Sequence, residues 1–324
     1  MPPVLAPRLR DHLGVTDVWL LPHSTNPSGT FKDLEAAFVI SKCTECGMDN
    51  LAWHSTGNTA RSYSLYASLA NLATVSFVPS ECLFKMKGVV KHPRSQILAY
   101  DGPFQELSHV AKSYASSHGL THIAPLCWKL EGKTVMAYQI AETIPNVSTI
   151  VQTIAGGYGF LGMCLGFERL SDAGLWQRPM PRFFLFQIDD ADTIATLFRD
   201  GFDSDVTPAH IKQAKSVFEP TLQSTNPMAT YSAVRKAVLK TQSMIDSVTA
   251  RDVVEFRGEF EEACKEIGVP VCYEMEKSPF ISWAGLRRAA IQKRLCKADR
   301  ICLIVTGAPK HMGGEASVAH IKSL

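Results

Sequence analysis

Short apolar runs recur along the chain, and helix-length stretches separate them. Strand-like runs fall near Val18–Leu21, Leu51–Trp53, Val75–Val78, Ile97–Tyr100, Ile150–Ile154, Phe183–Gln187 and Ile301–Val305. Helical patterns occupy Leu34–Ile40, Ala60 to about Leu72 and Leu161 to about Leu170. Such alternation implies parallel sheets covered by helices, so the expected class is α/β. From Gly201 to about Ser247 the pattern is less readable. There Ser224-Thr225-Asn226-Pro227 reads either as a loop closing on a site or as a plain connection. Thr249 and Asp252, three residues apart, fit a variant capping box at the head of a helix. No internal repeat or low-complexity tract is seen.

Composition adds size and setting. With 324 residues and 46% hydrophobic content, the chain can bury a large core split between two subdomains. The net charge of +2 gives no basis for a nucleic-acid or acidic-membrane partner. No apolar run approaches the roughly 18 residues that span a bilayer, and Met1–Arg10 has no long apolar signal core. Nine cysteines, an odd number scattered through predicted elements, suit reduced thiols in a cytoplasmic protein better than a disulfide framework. Cys43 and Cys46 share one helix face, but no second pair recurs, so packing rather than metal is expected. His54 is expected to pack at a strand end. Lys85–Arg94 and Arg251–Lys265 read as solvated charged faces.

Three small-residue motifs sit at the ends of predicted elements. Ser28-Gly29-Thr30-Phe31-Lys32, followed by Asp33, puts a lysine after a turn and at the start of a helical run. The positive end of the helix dipole disfavours an ammonium there. That helps only a lysine that must lose its proton to act as a nucleophile. The second motif, Ser55-Thr56-Gly57-Asn58-Thr59, joins a strand to a helix. One cap residue would satisfy the helix; five such residues offer a carboxylate or phosphate several short donors. Third, Ala155-Gly156-Gly157-Tyr158-Gly159-Phe160 follows the apolar stretch Thr149–Ile154. Strand, glycine turn and helix can cradle phosphate, although neither the dinucleotide fingerprint nor the Walker sequence is present, and a tight turn is the default alternative.

In their order, these segments resemble threonine synthase and its relatives, fold-type II enzymes of the tryptophan synthase β-like superfamily that use pyridoxal 5'-phosphate. Asn26 to Asp33 is similar to the family's Schiff-base lysine motif, and Ser55 to Thr59 to its Ser-Thr-Gly-Asn-Thr loop. Lys129-Leu130-Glu131-Gly132 resembles its Arg-Leu-Glu-Gly segment, Gly156 to Gly159 its phosphate loop, and Thr306-Gly307 its C-terminal Thr-Gly. The resemblance runs from about Pro3 to Lys310. It implies two subdomains, each with a mainly parallel twisted sheet flanked by helices, and the cofactor in the cleft between them. Residues 1–34 plus 141–324 would form the large cofactor-binding subdomain, and residues 35–140 a small mobile one. A homodimer acting on a small amino-acid substrate is also implied.

Residue by residue, the resemblance makes Lys32 the catalytic lysine that holds the cofactor and moves the α-proton. Asn58, Gly156, Gly157, Tyr158, Gly159, Phe160 and Thr306 would contact the cofactor, with the Thr306 hydroxyl facing the pyridine nitrogen. Ser55, Thr56, Gly57, Asn58, Thr59, Arg61 and Lys129 would meet the substrate. A hydroxyl at the ring nitrogen is a weak proton source, which favours elimination or replacement at the side chain.

Departures from threonine synthase bear on the substrate. The family commonly has Asn-Pro-Tyr-Arg before Leu-Glu-Gly and uses it to help hold the substrate phosphate; this chain has Leu126-Cys127-Trp128-Lys129. An alkyl group replaces an amide, and a point charge replaces a bidentate fork. Arg61 and the bulky Tyr158 and Phe160 are further differences. The expectation is β- or γ-elimination or replacement on an amino acid with an activated side chain. A true threonine synthase on O-phosphohomoserine and a phosphoserine-using, cysteate synthase-like enzyme are alternatives. A cofactor-binding protein without turnover is the alternative of another class.

Overall fold

The computed structural model describes residues 1–102, 104–123, 126–144, 146–211, 218–223, 227–310, 312 and 317–321. Ser224, Thr225 and Asn226 of the expected loop lie outside them, as does the Leu126 side chain. The elements begin with β1 (Val4–Leu5), α1 (Pro7–Leu13), β2 (Asp17–Pro22), α2 (Lys32–Glu45), β3 (Asn50–His54), α3 (Asn58–Leu69) and β4 (Ala73–Pro79). Next come β5 (Ser95–Tyr100), α4 (Phe104–Ser117), β6 (Thr121–His122), α5 (Leu126–Thr143), β7 (Thr149–Thr153), α6 (Tyr158–Asp172) and β8 (Arg182–Ile188). The rest are α7 (Thr193–Arg199), α8 (Tyr231–Lys240), β9 (Met244–Val248), α9 (Ala250–Glu266), α10 (Ser278–Ile291), β10 (Arg300–Val305) and β11 (Val318–Ile321). None of these described helices is long and apolar enough to cross a membrane.

Two compact units result: Met1–Thr25 with Lys133–Ala308, and Asn26–Gly132 with Pro309–Leu324. The first carries a six-stranded sheet in the order β1-β2-β10-β7-β8-β9. Only the β1–β2 pair is antiparallel. Leu303 of β10 lies beside both Leu20 and Val151. Residues 301–305 and all of β7 are buried, which is why β10 reads as a continuous apolar run; β7 buries Thr149, Gln152 and Thr153 together with Ile150 and Val151. Phe280, Ile281, Trp283 and Leu286 of α10 pack in the same core as Val151, Phe184 and Leu303.

The second unit has an all-parallel sheet in the order β11-β5-β4-β3-β6. Strand alternation divides its core. Leu51, Trp53, Val78 and Ile97 join Val39, Ile40, Tyr63 and Ala67 of α2 and α3. Ala52, Phe77 and Leu98 join Leu107, Ala111 and Ala115 of α4. Successive side chains point to opposite faces, so both are covered.

Several expectations need correction. The smaller unit starts at Asn26 rather than residue 35, so Lys32 belongs to it and not to the larger unit. Its other limit is Gly132 rather than residue 140, within α5. The C-terminal segment also changes sides, because β11 hydrogen-bonds along β5. β9 went unread because its Met-Ile-Asp-Ser-Val sequence is a short edge strand with partly exposed positions. Lys85, expected on a solvated face, is fully buried. By contrast, Thr249 and Asp252 exchange the expected capping-box hydrogen bonds at the head of α9.

Gly285 gives a signed stability test. In an exposed helix, Gly→Ala stabilises by up to about 1 kcal/mol. Here a Cβ would overlap the Phe186 ring. Gly285→Ala should therefore destabilise by ~1–3 kcal/mol, seen as a lower melting temperature; a higher one would mean that the α10–β8 contact is loose.

Candidate active site

Lys32 is the first residue of α2, with Phe31 at the cap. Its side chain is 22% exposed, and its Nζ lies 4.8 Å from the Phe31 ring centroid. The preceding loop is hydrogen-bonded to itself. Asn26 Nδ2 donates to the Thr30 carbonyl at 3.0 Å, and the Lys32 N–H donates to Thr30 Oγ1 at 3.2 Å. Gly29 adopts a positive φ of 81°, open to glycine with little strain. Buried Asp33 accepts the Ser28 N–H at 2.8 Å and also the Ser28 hydroxyl. Ser62 of α3 bonds to Ser28 Oγ at 2.9 Å and Thr30 Oγ1 at 3.1 Å.

Arg61 stands behind this loop as a brace. It is 0% exposed. Its Nε donates to the Ser28 carbonyl at 3.0 Å, and its Nη1 donates to the Lys85 and Lys87 carbonyls, each at 2.8 Å. Burial lowers its pKa to about 10, while the charge of Asp33 pulls the other way. The expected substrate contact is thus replaced by a role in packing. A guanidinium needs several acceptors once desolvated, and backbone carbonyls supply them.

The Ser55–Thr59 motif forms the turn from β3 into α3. Ser55 Oγ accepts the Gly57 N–H at 3.1 Å and the Ala60 N–H at 3.3 Å. Its hydroxyl is therefore engaged in capping. Gly57 has φ 127°, and a Cβ there would lie 2.7 Å from Lys85 Cβ, so only glycine fits without a shift. Thr56, Asn58 and Thr59 are half-buried.

Lys129 lies half-buried on α5. Burial lowers its pKa; Glu35 opposes this and Lys32 reinforces it, which places all three charges in one neighbourhood. Glu35 was not among the expected site residues. It is 1% exposed, accepts the Tyr63 hydroxyl at 3.0 Å, and lies 3.7 Å from Lys32 Nζ. The signal available was a lone carboxylate in the apolar run Leu34–Ile40, one helical turn after the lysine. His54, at the end of β3, stacks on His122 with centroids 5.4 Å apart and Nδ1 3.2 Å from His122 Nε2. Burial, helped by His122, Lys129 and Lys112, lowers its pKa to about 3.

The larger unit holds the remaining residues. Gly156–Phe160 and Thr306 follow the C-terminal ends of β7 and β10, adjacent parallel strands, the usual ligand edge of such sheets. Gly157 caps α6 with φ 79° and no side-chain cap bond. A Cβ there would sit 2.6 Å from Val234 Cγ2, and one on Gly159 would sit 2.5 Å from Gln152 Nε2. The loop backbone is thus drawn close to its neighbours, while its helix N-terminus carries no side-chain cap. Tyr158 is half-buried. Phe160 is fully buried and meets Phe183 edge-on at 4.8 Å, so its side chain belongs to the core and only its backbone can serve a ligand. Thr306 is 3% exposed, and its buried hydroxyl has no hydrogen-bond partner among the described residues.

The family model described as "Pyridoxal-phosphate dependent enzyme" matches residues 1–307. The chain belongs to that family. Its cofactor is pyridoxal 5'-phosphate, and it is a fold-type II enzyme. Threonine synthase of Methanosarcina acetivorans is 22% identical over 312 residues, covering 93% of this chain and 72% of that protein. Threonine synthase of Methanocaldococcus jannaschii is 22% identical over 308 residues, covering 92% and 72%. Maize serine racemase has the same fold, with a TM-score of 0.73 at 19% identity over 96% of this chain and 90% of that one. Each unit by itself offers groups that suit the cofactor: the smaller an amine at Lys32, the larger a helix N-terminus without a side-chain cap at Gly157 and, at Thr306, a buried hydroxyl without a partner among the described residues.

Thr306 gives the cleaner test of the cofactor site, because a side chain at Gly157 would strain even the empty protein. Thr306→Val removes a hydroxyl that none of the described residues satisfies. The cofactor-free variant should be as stable as the parent or more so, since an unpaired buried polar group costs about 1–3 kcal/mol. Cofactor affinity should fall roughly tenfold if the hydroxyl serves the ring. Lower apoprotein stability with unchanged affinity would make Thr306 structural.

His54 gives a pH test. The unfolded chain protonates it near 6.5, whereas the fold keeps it neutral down to about 3. Its stabilising contribution is full above 6.5 and is lost as the pH falls through that interval. His54→Gln should flatten part of the acid slope in melting temperature between those limits; an unchanged slope would assign it to other groups.

Proposed function

We propose that this enzyme eliminates or replaces a substituent at the β- or γ-carbon of an amino acid with an activated side chain. The observation that carries the reading is Lys32, a partly exposed amine at the head of α2 on a loop tied to buried Asp33. Bound pyridoxal phosphate supplies an electron sink for charge developing at the α-carbon. The Lys32 amine would hold the cofactor covalently and, when displaced by the substrate amine, carry the α-proton. The first-turn N–H groups of α6 suit a phosphate, and Asn58 would orient the ring. Ser55 Oγ acts as an acceptor in capping, which leaves its O–H a candidate donor, with Thr56 to Thr59, for the substrate carboxylate. A neutral hydroxyl at Thr306 would leave the ring nitrogen without a strong acid, which favours side-chain elimination.

Phosphorylated substrates fit the charged residues poorly. Arg61, the cation that could have replaced the family's arginine, is bonded to backbone carbonyls. That removes the main argument for phosphoserine. Lys129 feels the opposing charge of Glu35. A cytoplasmic homodimer remains part of the proposal, to be tested by light scattering and cell fractionation.

Two measurements check this reading. Borohydride reduction of the holoenzyme should abolish its visible band and leave an adduct on Lys32; Lys32→Ala should fold but lack both adduct and turnover. An adduct mapped to Lys129 or Lys133 would refute the lysine assignment. Among phosphohomoserine, phosphoserine, acetylserine and acetylhomoserine, an acetylated substrate should lead in kcat/KM by at least about tenfold, the worth of one lost charge-assisted hydrogen bond. If phosphohomoserine leads instead and yields threonine, the chain is an ordinary threonine synthase.

A further inference from the structure

We infer that Glu35 is a positioning residue for Lys32: its buried carboxylate fixes the amine end of that side chain and sets the charge on the nitrogen that binds the cofactor. The inference rests on the reading of Lys32 above. Glu35 Oε2 is 3.7 Å from Lys32 Nζ, one helical turn along α2. Its other oxygen accepts the Tyr63 hydroxyl at 3.0 Å, which holds the carboxylate from a second helix. At 1% exposure the group has almost no access to bulk water. An ionised carboxylate so placed needs cations and donors around it. Those facing it include Lys32 on α2, Tyr63 from α3 and Lys129 from α5.

The arrangement has a definite sign. A carboxylate within about 4–6 Å favours the protonated, cationic form of a nitrogen, and the neighbouring Lys129 cation opposes it. Lys32 and Glu35 are three residues apart on α2, one helical turn. The pair Glu35 and Lys129 therefore tunes the proton on the Lys32 nitrogen in opposite directions. Neither residue needs to touch the substrate for this to act.

The test is the pH midpoint of the visible absorption band of the pyridoxal-phosphate holoenzyme. Glu35→Gln keeps the size of the side chain and an acceptor for Tyr63 but removes the charge. Its midpoint should fall by about one pH unit or more. Glu35→Asp should stay nearer the parent. Lys129→Met should move the midpoint upward, which keeps the test sharp even if Glu35→Gln does not fold. Failure of the parent to form a borohydride-trapped adduct on Lys32 overturns the functional reading and this inference with it. A Lys32 adduct whose midpoint is unmoved in folded Glu35→Gln, or unmoved or lowered in Lys129→Met, overturns the inference alone.

Discussion

Two buried opposite charges, Asp33 and Arg61, hold the lysine loop in place. Either alone would be costly to desolvate. Their hydrogen bonds offset that cost and settle the geometry around them. Asp33 closes the turn onto Ser28, and Arg61 ties the Ser28 carbonyl to those of Lys85 and Lys87. Arg61 sits on α3, whose first residue is Asn58. The lysine loop and the Ser55–Thr59 turn are thus coupled through one guanidinium. One of its nitrogens, Nη2, is buried without an acceptor among the described residues, so the brace is not free of cost.

Helix α2 accommodates two buried carboxylates because both lie in its first turn. The helix dipole favours negative charge there and offsets part of the desolvation. Positions two apart diverge by about 200° around a helix. Asp33 can therefore serve the loop while Glu35 lies toward Lys32 and Tyr63. The two acids on either side of Leu34 have separate duties, one holding backbone and the other facing an amine. The larger unit offers groups of another kind. There, backbone at the head of α6 and one uncharged hydroxyl stand at the ends of neighbouring strands.

β10 was legible because burial on both faces removes polar alternation, whereas β7 buries Thr149, Gln152 and Thr153 beside Ile150 and Val151 and stands out chiefly by its place before the glycine turn. The edge strands β1, β6, β9 and β11 were not legible, since each has partly exposed positions and two of them have only two residues. Lys32 and Gly157 stand out from local turn chemistry alone, each at the head of a helix. Arg61 does not, because its partners are carbonyls of Ser28, Lys85 and Lys87, far away in sequence. Phe160 misled for a related reason: it follows a glycine loop but its ring turns into the core. Glu35 left only a faint mark, a charge in an apolar stretch. Its meaning needed Tyr63 and Lys129, which other helices bring to it.

The place of β10 has a consequence for synthesis. It lies between β2 and β7, yet it is made after every other strand of that sheet. Until residues 300–305 leave the ribosome, β2 and β7 have no strand to join them, and each presents an open edge rich in apolar side chains. The nascent chain must therefore carry these edges through most of translation, a period in which chaperone cover matters more than for a sheet completed in sequence order.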